Sequence, residues 1–306
     1  MIGITAIGYV LGSRRIDNAA RNIAEPELLE QKIGVRQISR RTDEDTSDLA
    51  VAAVKDLQKR HPFDAGKIEC LVVVTQNPDG FGLPHTAAIV HDKLGLPETC
   101  AAFDISLGCS GFVYGLSIIT SFMEQNGMTT GLLVTSDPYS KVVDDDDRNT
   151  SLLFGDGAAA TLVTDNPVWR AGRYVFGTAG KHRQALHVNE DRTLVMNGRT
   201  VFTFSATAVP PAITRTLAAN DVSLDDVDCF LLHQGSKYIV DTIAKRLGVT
   251  DRTAFHAGDY GNTVSSSLPI LLADVVPDDA ETILISGFGV GLSLGCTILR
   301  RVNDDN

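Results

Sequence analysis

The sequence predicts an α/β protein built from two similar halves, and three observations carry that expectation. Apolar runs of strand length alternate with helical stretches along the whole chain, the pattern of sheets layered with helices. Two helical stretches end on the same signature, Lys93-Leu94-Gly95-Leu96 and Arg246-Leu247-Gly248-Val249, at an offset of 153 between Gly95 and Gly248. At that same offset Gly108-Cys109-Ser110 falls on Gly261-Asn262-Thr263, so the repeat extends beyond one helix and reads as a duplication.

Taken in order, Cys70–Thr75 (CLVVVT) is an uncharged, β-branched run and is expected to be a buried strand. Thr86–Leu94 is helical and stops at Gly95, where a left-handed C-cap suits glycine. The longest uncharged run lies between Asp104 and Glu124. It has the length of a membrane span, but its serines, threonines and glycines favour a helix buried on all sides by protein. Gly131–Ser136 is a second strand. In the later half Asp228–His233 and Thr282–Ser286 are strands, with a helix over Tyr238–Leu247 between them. IECLVVVTQ at Ile68–Gln76 parallels VDCFLLHQ at Val227–Gln234, and GLLVTSD at Gly131–Asp137 parallels TILISG at Thr282–Gly287. Each half therefore reads strand, helix, short segment, helix, strand. The punctuation at Thr164–Asn166, before Pro167, divides residues 1–165 from residues 166–306.

Composition removes several function classes. The 306 residues carry 27 Lys and Arg against 38 Asp and Glu, a net charge of −11, which disfavours a nucleic-acid partner. A hydrophobic content of 43% with 21% charged residues is that of a globular chain rather than a disordered one. The five cysteines are widely spaced with no CxxC pair, so neither a zinc site nor a disulfide framework is indicated and no metal is expected. Arg14, Arg15 and Asp17 interrupt any apolar opening stretch, so the expectation is a cytoplasmic protein with free thiols and no membrane association.

Two copies of one unit related by a pseudo-twofold axis bring equivalent positions face to face. Cys109 and Asn262 then both stand at the start of a buried helix, and His233 ends a central strand. A thiol at a helix N-terminus feels the partial positive charge of unpaired N–H groups, which favours the thiolate. Small neighbours Gly108, Ser110 and Gly111 leave room for a substrate against the backbone. Cys70, Cys100, Cys229 and Cys296 fit the ordinary behaviour of buried, inert thiols. His61, His85, His91, His182, His187 and His256 are expected on the surface or in packing roles, and Asp144–Asp147 in a solvated loop. Asn262 alone would read as a helix N-cap; its register with Cys109 gives it a place in the site. The glycines of Ser286–Gly295 (SGFGVGLSLG) do not fit GxGxxG or a phosphate loop, and are better explained by backbone lying close to a ligand.

Several motifs in sequence resemble the β-ketoacyl-[acyl-carrier-protein] synthase III family of thiolase-like condensing enzymes. They are GVRQISRRTDEDTSDLA at Gly34–Ala50, DISLGCSGF around Cys109, DRNTSLLFGDGAAA at Asp147–Ala160, MNGRTVFTF at Met196–Phe204, HQGS at His233, GNTVSSSLP at Asn262 and GFGVGLSLG near the end. The resemblance implies a five-layer αβαβα sandwich of two pseudo-twofold-related halves, and a homodimer. It implies Cys109 as nucleophile toward an acyl-coenzyme A thioester, followed by decarboxylative condensation with malonyl-acyl carrier protein. His233 and Asn262 would bind the malonyl thioester oxygen, and the N–H groups of Cys109 and Val290 would form an oxyanion hole. Arg148, Lys32 and Leu83 are the implied substrate contacts, with Lys237, Lys245 and Arg246 the candidates for docking the carrier. No cofactor is implied beyond the coenzyme A of the substrate. The family's HQAN reads His233-Gln234-Gly235-Ser236 here, and Leu28-Leu29-Glu30 holds no aromatic residue where one often stacks on adenine.

Other readings use the same residues. Papain-like hydrolases also order Cys, His and Asn along the chain, but have no internal repeat. Acyl transfer from Cys109 to an alcohol or amine would need less help with an enolate than His233 and Asn262 together offer. A non-catalytic partner subunit would have little need of all three. Condensation is the reading these residues favour.

Overall fold

The computed structural model describes residues 1–21 and 25–302. Among these residues ten strands form one continuous sheet and six α-helices cover or divide it. In chain order they are β1 (Gly3–Leu11), α1 (Thr46–Arg60), β2 (Cys70–Val74), α2 (Thr86–Leu94), β3 (Ala101–Ile105), α3 (Gly111–Asn126), β4 (Thr130–Ser136), β5 (Gly157–Thr164), β6 (Trp169–Ala171), β7 (Val175–Thr178), α4 (Gly198–Ala219), β8 (Cys229–Leu232), α5 (Lys237–Leu247), α6 (Ser267–Asp274), β9 (Thr282–Gly289) and β10 (Ser293–Arg301).

The first half has strand order β3-β2-β4-β5-β1, and the second β8-β9-β10 followed by β6 and β7. A bridge between Ile4 and Trp169 joins the two half-sheets edge to edge. Helices α1 and α2 pack on the outer face of the first half, and α4 on that of the second, where it also meets α5. Between the halves lie α3 and α6, each touching strands of both. The result is the five-layer αβαβα sandwich.

The central layer explains why α3 is so rich in small and apolar residues. Phe112, Val113, Leu116 and Ile119 are fully buried, each contributing roughly 1.5–3 kcal/mol of apolar burial. A Cβ on Gly115 would stand 2.8 Å from Leu133 of β4 and 3.0 Å from Val74 of β2, so a larger residue there would force those side chains to move. The expectation that the whole uncharged run is enclosed fails toward its end, where Ile118 is 40% exposed and Ser121 is exposed. The helix emerges from between the sheets there.

Gly95, Gly127 and Gly248 cap α2, α3 and α5 in the left-handed conformation. The repeated order strand, helix, segment, helix, strand is present in both halves. The middle segment differs: it is the strand β3 in the first half, whereas residues 253–256 form no strand in the second. As a consequence β8 is the end strand of the sheet, not the central one the sequence suggested. It is still wholly buried. The Gln234 side chain holds the neighbouring segment in place, donating to the Ala254 carbonyl at 3.3 Å and accepting from the His256 N–H at 2.7 Å.

Candidate active site

Three chain segments meet at the junction of the halves. Cys109 sits on the turn between β3 and α3, one residue before the N-cap Ser110. His233 follows the last residue of β8. Asn262 lies ahead of α6 and is pinned on both sides of its peptide, donating to the Leu153 carbonyl at 2.8 Å and accepting from the Gly155 N–H at 3.0 Å. All three line one cavity of about 580 Å³, and each is no more than 3% exposed. Lys32, Arg199 and Tyr238, all exposed, line the same cavity toward solvent.

The hydrogen bonds leave the useful atoms free. Asn262 Oδ1 accepts from the Val264 N–H at 2.9 Å, which turns the amide N–H₂ toward the cavity as a donor. His233 Nδ1 lies 2.7 Å from Ser267 Oγ, leaving Nε2 for the cavity. Burial lowers the His233 pKa to about 3, so the ring is neutral at physiological pH.

The sequence favoured a thiolate at Cys109, and burial reverses that. Burial raises the thiol pKa to about 12, against the opposing pull of the Val290 N–H and of the residue's own N–H, while the Asp137 charge raises it further. Desolvation outweighs the helix terminus here. The same two N–H groups converge on the sulfur from opposite elements, α3's leading turn and the β9–β10 hairpin. Gly289 makes that approach feasible, since a Cβ there would stand 2.7 Å from Cys109 Sγ.

The remaining sequence candidates are dispersed. Lys32 lines the main cavity, and Arg148 a neighbouring depression that shares Ile33, Asn149 and Met196 with it. Leu83 is 92% exposed and lines neither. Lys237 is paired with Asp241 at 2.5 Å. Arg246 donates to the Ala206 carbonyl at 2.7 Å, a group stranded because Pro210 lacks the N–H that would bond it in α4. Lys245 is exposed.

Sequence reasoning missed a second cavity of about 280 Å³, lined by Gln76, Tyr139, His187 and Val290 among others and sharing the Leu186 wall with the first. It also missed Ser267 and the fully buried Asp137. The parallel of IECLVVVTQ with VDCFLLHQ was the available signal for Gln76, because both runs end at the site. Among the described residues no cluster of His, Cys, Asp and Glu could hold a metal ion, and no helix is long and apolar enough to cross a membrane.

A buried cysteine facing a histidine and an asparagine, at the seam of two repeated α/β halves, defines a thiolase-like condensing enzyme. Comparison with known proteins narrows this. Residues 103–180 match the profile of 3-oxoacyl-[acyl-carrier-protein] synthase III, and residues 217–301 that of its C-terminal part. A β-ketoacyl-[acyl-carrier-protein] synthase III of Streptococcus pneumoniae is 34% identical over 294 residues, covering 89% of this chain and 90% of the relative. The crystal structure of the synthase III from Aquifex aeolicus superposes with a TM-score of 0.91 at 26% identity, over 98% of this chain and 100% of that one. A priming β-ketosynthase of a polyketide pathway superposes at 0.88 with 28% identity, over 99% and 97%. The chain belongs to the β-ketoacyl-[acyl-carrier-protein] synthase III family, and it is an acyltransferase of the condensing type.

Proposed function

We propose that the enzyme extends a coenzyme A-borne acyl starter by two carbons from malonyl-acyl carrier protein. The observation that carries this is the convergence of two neutral side chains, the His233 imidazole with Nε2 unbonded and the Asn262 amide, on the cavity that holds Cys109. In the first stage the Cys109 sulfur attacks the starter's thioester carbonyl. The new C–S bond forms, the bond to coenzyme A breaks, and the cysteine proton leaves on the released thiol. The N–H groups of Cys109 and Val290 support the oxyanion of that step. In the second stage the malonyl carboxylate leaves as carbon dioxide and its electron pair becomes a thioester enolate. His233 and Asn262 donate to the enolate oxygen as charge develops, which lowers the barrier where solvent would not. The enolate carbon attacks the acyl-cysteine carbonyl, and the Cys109 sulfur departs and takes up a proton. No resident cofactor enters either stage.

Lys32, Arg199 and Arg148 give the cavity mouth a cationic rim suited to the phosphates of coenzyme A. With Lys237 and Arg246 engaged within the chain, Lys245 is the freest of the three carrier-docking candidates. A homodimer formed along the β3 edge fits the strand's open side and the exposed Phe81 and Leu83 nearby, 84% and 92% accessible. Five free cysteines suit a reducing cytoplasm.

The test is intact mass after incubation with a panel of acyl-coenzyme A thioesters, followed by addition of malonyl-carrier. A mass gain on Cys109, then carbon dioxide and a β-ketoacyl product, is the expected result. Acylation with transfer to an alcohol or amine and no carbon dioxide would overturn it in favour of simple acyl transfer.

A further inference from the structure

We propose that Gln76 and Tyr139 form a polar end to the starter cavity and select a short hydroxyacyl group over a plain alkyl one. The inference rests on the Cys109 acyl-enzyme read above and names its starter.

The large cavity must admit the pantetheine arm of the donor and then that of the extender. The acyl group on Cys109 therefore needs space that stays filled through both visits. The space at hand is the second cavity, about 280 Å³, whose wall residues Tyr139, Leu186 and Leu194 pack in one cluster with Cys109. It has about half the volume of the first.

Its inner end is polar. A Cβ built on Gly108, the residue before the nucleophile, would lie 2.6 Å from Gln76 Oε1, 2.6 Å from Val290 Cγ1 and 3.3 Å from the Tyr139 hydroxyl. Tyr139 is 3% exposed, its ring packed on Phe154 at 4.8 Å and its hydroxyl donating to Gln76 Oε1 at 3.3 Å. The Gln76 backbone N–H donates to Asp137 Oδ1 at 3.1 Å, which fixes where the side chain starts. The Gln76 amide nitrogen makes no hydrogen bond among the described residues. An alkyl starter would bury these groups against carbon and leave them unpaired, which is costly. A starter hydroxyl near the thioester would satisfy the amide whichever way it is turned, because a hydroxyl both donates and accepts.

The remaining walls limit the choice further. Val142, Leu186 and Leu194 are apolar and suit a short hydrocarbon remainder. Among the described residues no Lys or Arg lines this cavity, and His187, held through Nδ1 by the Gln184 carbonyl at 3.1 Å, is the single side chain there that could meet a carboxylate as a cation. A neutral hydroxyl needs no such partner.

The experiment measures the rate of Cys109 acylation, by intact mass, with butyryl and 3-hydroxybutyryl groups. Each is presented both on coenzyme A and on N-acetylcysteamine, so that nucleotide binding does not enter the ratio. The hydroxy starter is expected to react about tenfold faster or more on either carrier. Gln76→Leu should bring the ratio to one or below, and Tyr139→Phe, which keeps the ring packing, should reduce it. Butyryl reacting as fast in the wild type, or a ratio unmoved in both variants, overturns the inference and leaves the condensing reading intact. No acylation by any of the four thioesters overturns the acyl-enzyme itself, and the inference with it.

Discussion

His233 Nδ1 and Ser267 Oγ are 2.7 Å apart, and the serine hydroxyl is also 3.1 Å from the Val264 carbonyl. The hydroxyl donates to the Val264 carbonyl while Nδ1–H donates to it, or turns to donate to Nδ1 itself; only the second arrangement leaves the proton of the neutral imidazole on Nε2, the tautomer an enolate needs.

Ser267 is therefore a positioning residue, and Ser267→Ala frees the ring to adopt the other tautomer. Malonyl decarboxylation on the pre-formed acyl-enzyme should slow on the order of 10-fold to 100-fold, while Ser267→Thr, which keeps a hydroxyl, should recover most of it. Separate assays of acylation and decarboxylation check this. An equal loss in both half-reactions, or no rescue by threonine, would show that the serine matters only for packing.

The Cys109 thiol, raised to about 12 by burial, beside an imidazole lowered to about 3, rules the resting site toward a neutral pair. The thiolate fraction then grows tenfold per pH unit across the neutral and alkaline range. Iodoacetamide labelling of the Cys109 peptide in the substrate-free enzyme should rise with unit slope from pH 7 to 10 without levelling. A plateau near pH 8 would instead show a stabilised thiolate, and would make His233 its cation.

Gly289 has φ +154, and a Cβ there would stand 2.7 Å from both Cβ and Sγ of Cys109. Gly289→Ala must displace either the nucleophile or the hairpin that carries the Val290 N–H. Acylation should fall by roughly 100-fold or more, the scale of losing an oxyanion donor. Stopped acylation kinetics with circular dichroism measure the effect apart from folding; near-normal acylation would mean that the hairpin's distance from Cys109 is not what sets the rate.

Most of the layer order, and the three side chains that meet in the main cavity, were legible in the sequence, because strand and helix periods and a fixed repeat offset are local signals. What escaped depends on tertiary context. The prolines at 210 and 211 would ordinarily break a helix, yet α4 runs through both, with Arg246 from α5 bonding one freed carbonyl. That contact gives a candidate docking arginine a structural partner that the sequence did not show. The edge position of β8 follows from the absence of a strand over residues 253–256, which no repeat of its partner half foretells. The sign of the Cys109 shift was missed because helix dipoles can be read from sequence and desolvation cannot.

Asp137 is fully buried and makes no ion pair among the described residues. Its Oδ1 accepts from the Gln76 N–H and the Asn77 amide, each at 3.1 Å, whereas Oδ2 has no well-formed hydrogen bond. Burial raises its pKa to about 7 from an ordinary value near 4. Between those values the folded protein holds a proton that the unfolded chain releases, so this group's contribution is present at low pH and is lost as pH rises through 7. His233 acts in the opposite direction, since its lowered pKa costs stability as pH falls from about 6.5 toward 3. Asp137→Asn keeps the acceptor for Gln76 and Asn77 and removes the titration. Thermal melts of both proteins should nearly coincide at pH 4, with the variant the more stable at pH 8, on the order of 2–4 kcal/mol. Because His233 is common to both proteins, its effect cancels in the difference. A variant no more stable at pH 8 than the wild type would show that Asp137 ionises inside the fold at little cost, solvated by something other than the two amides it touches.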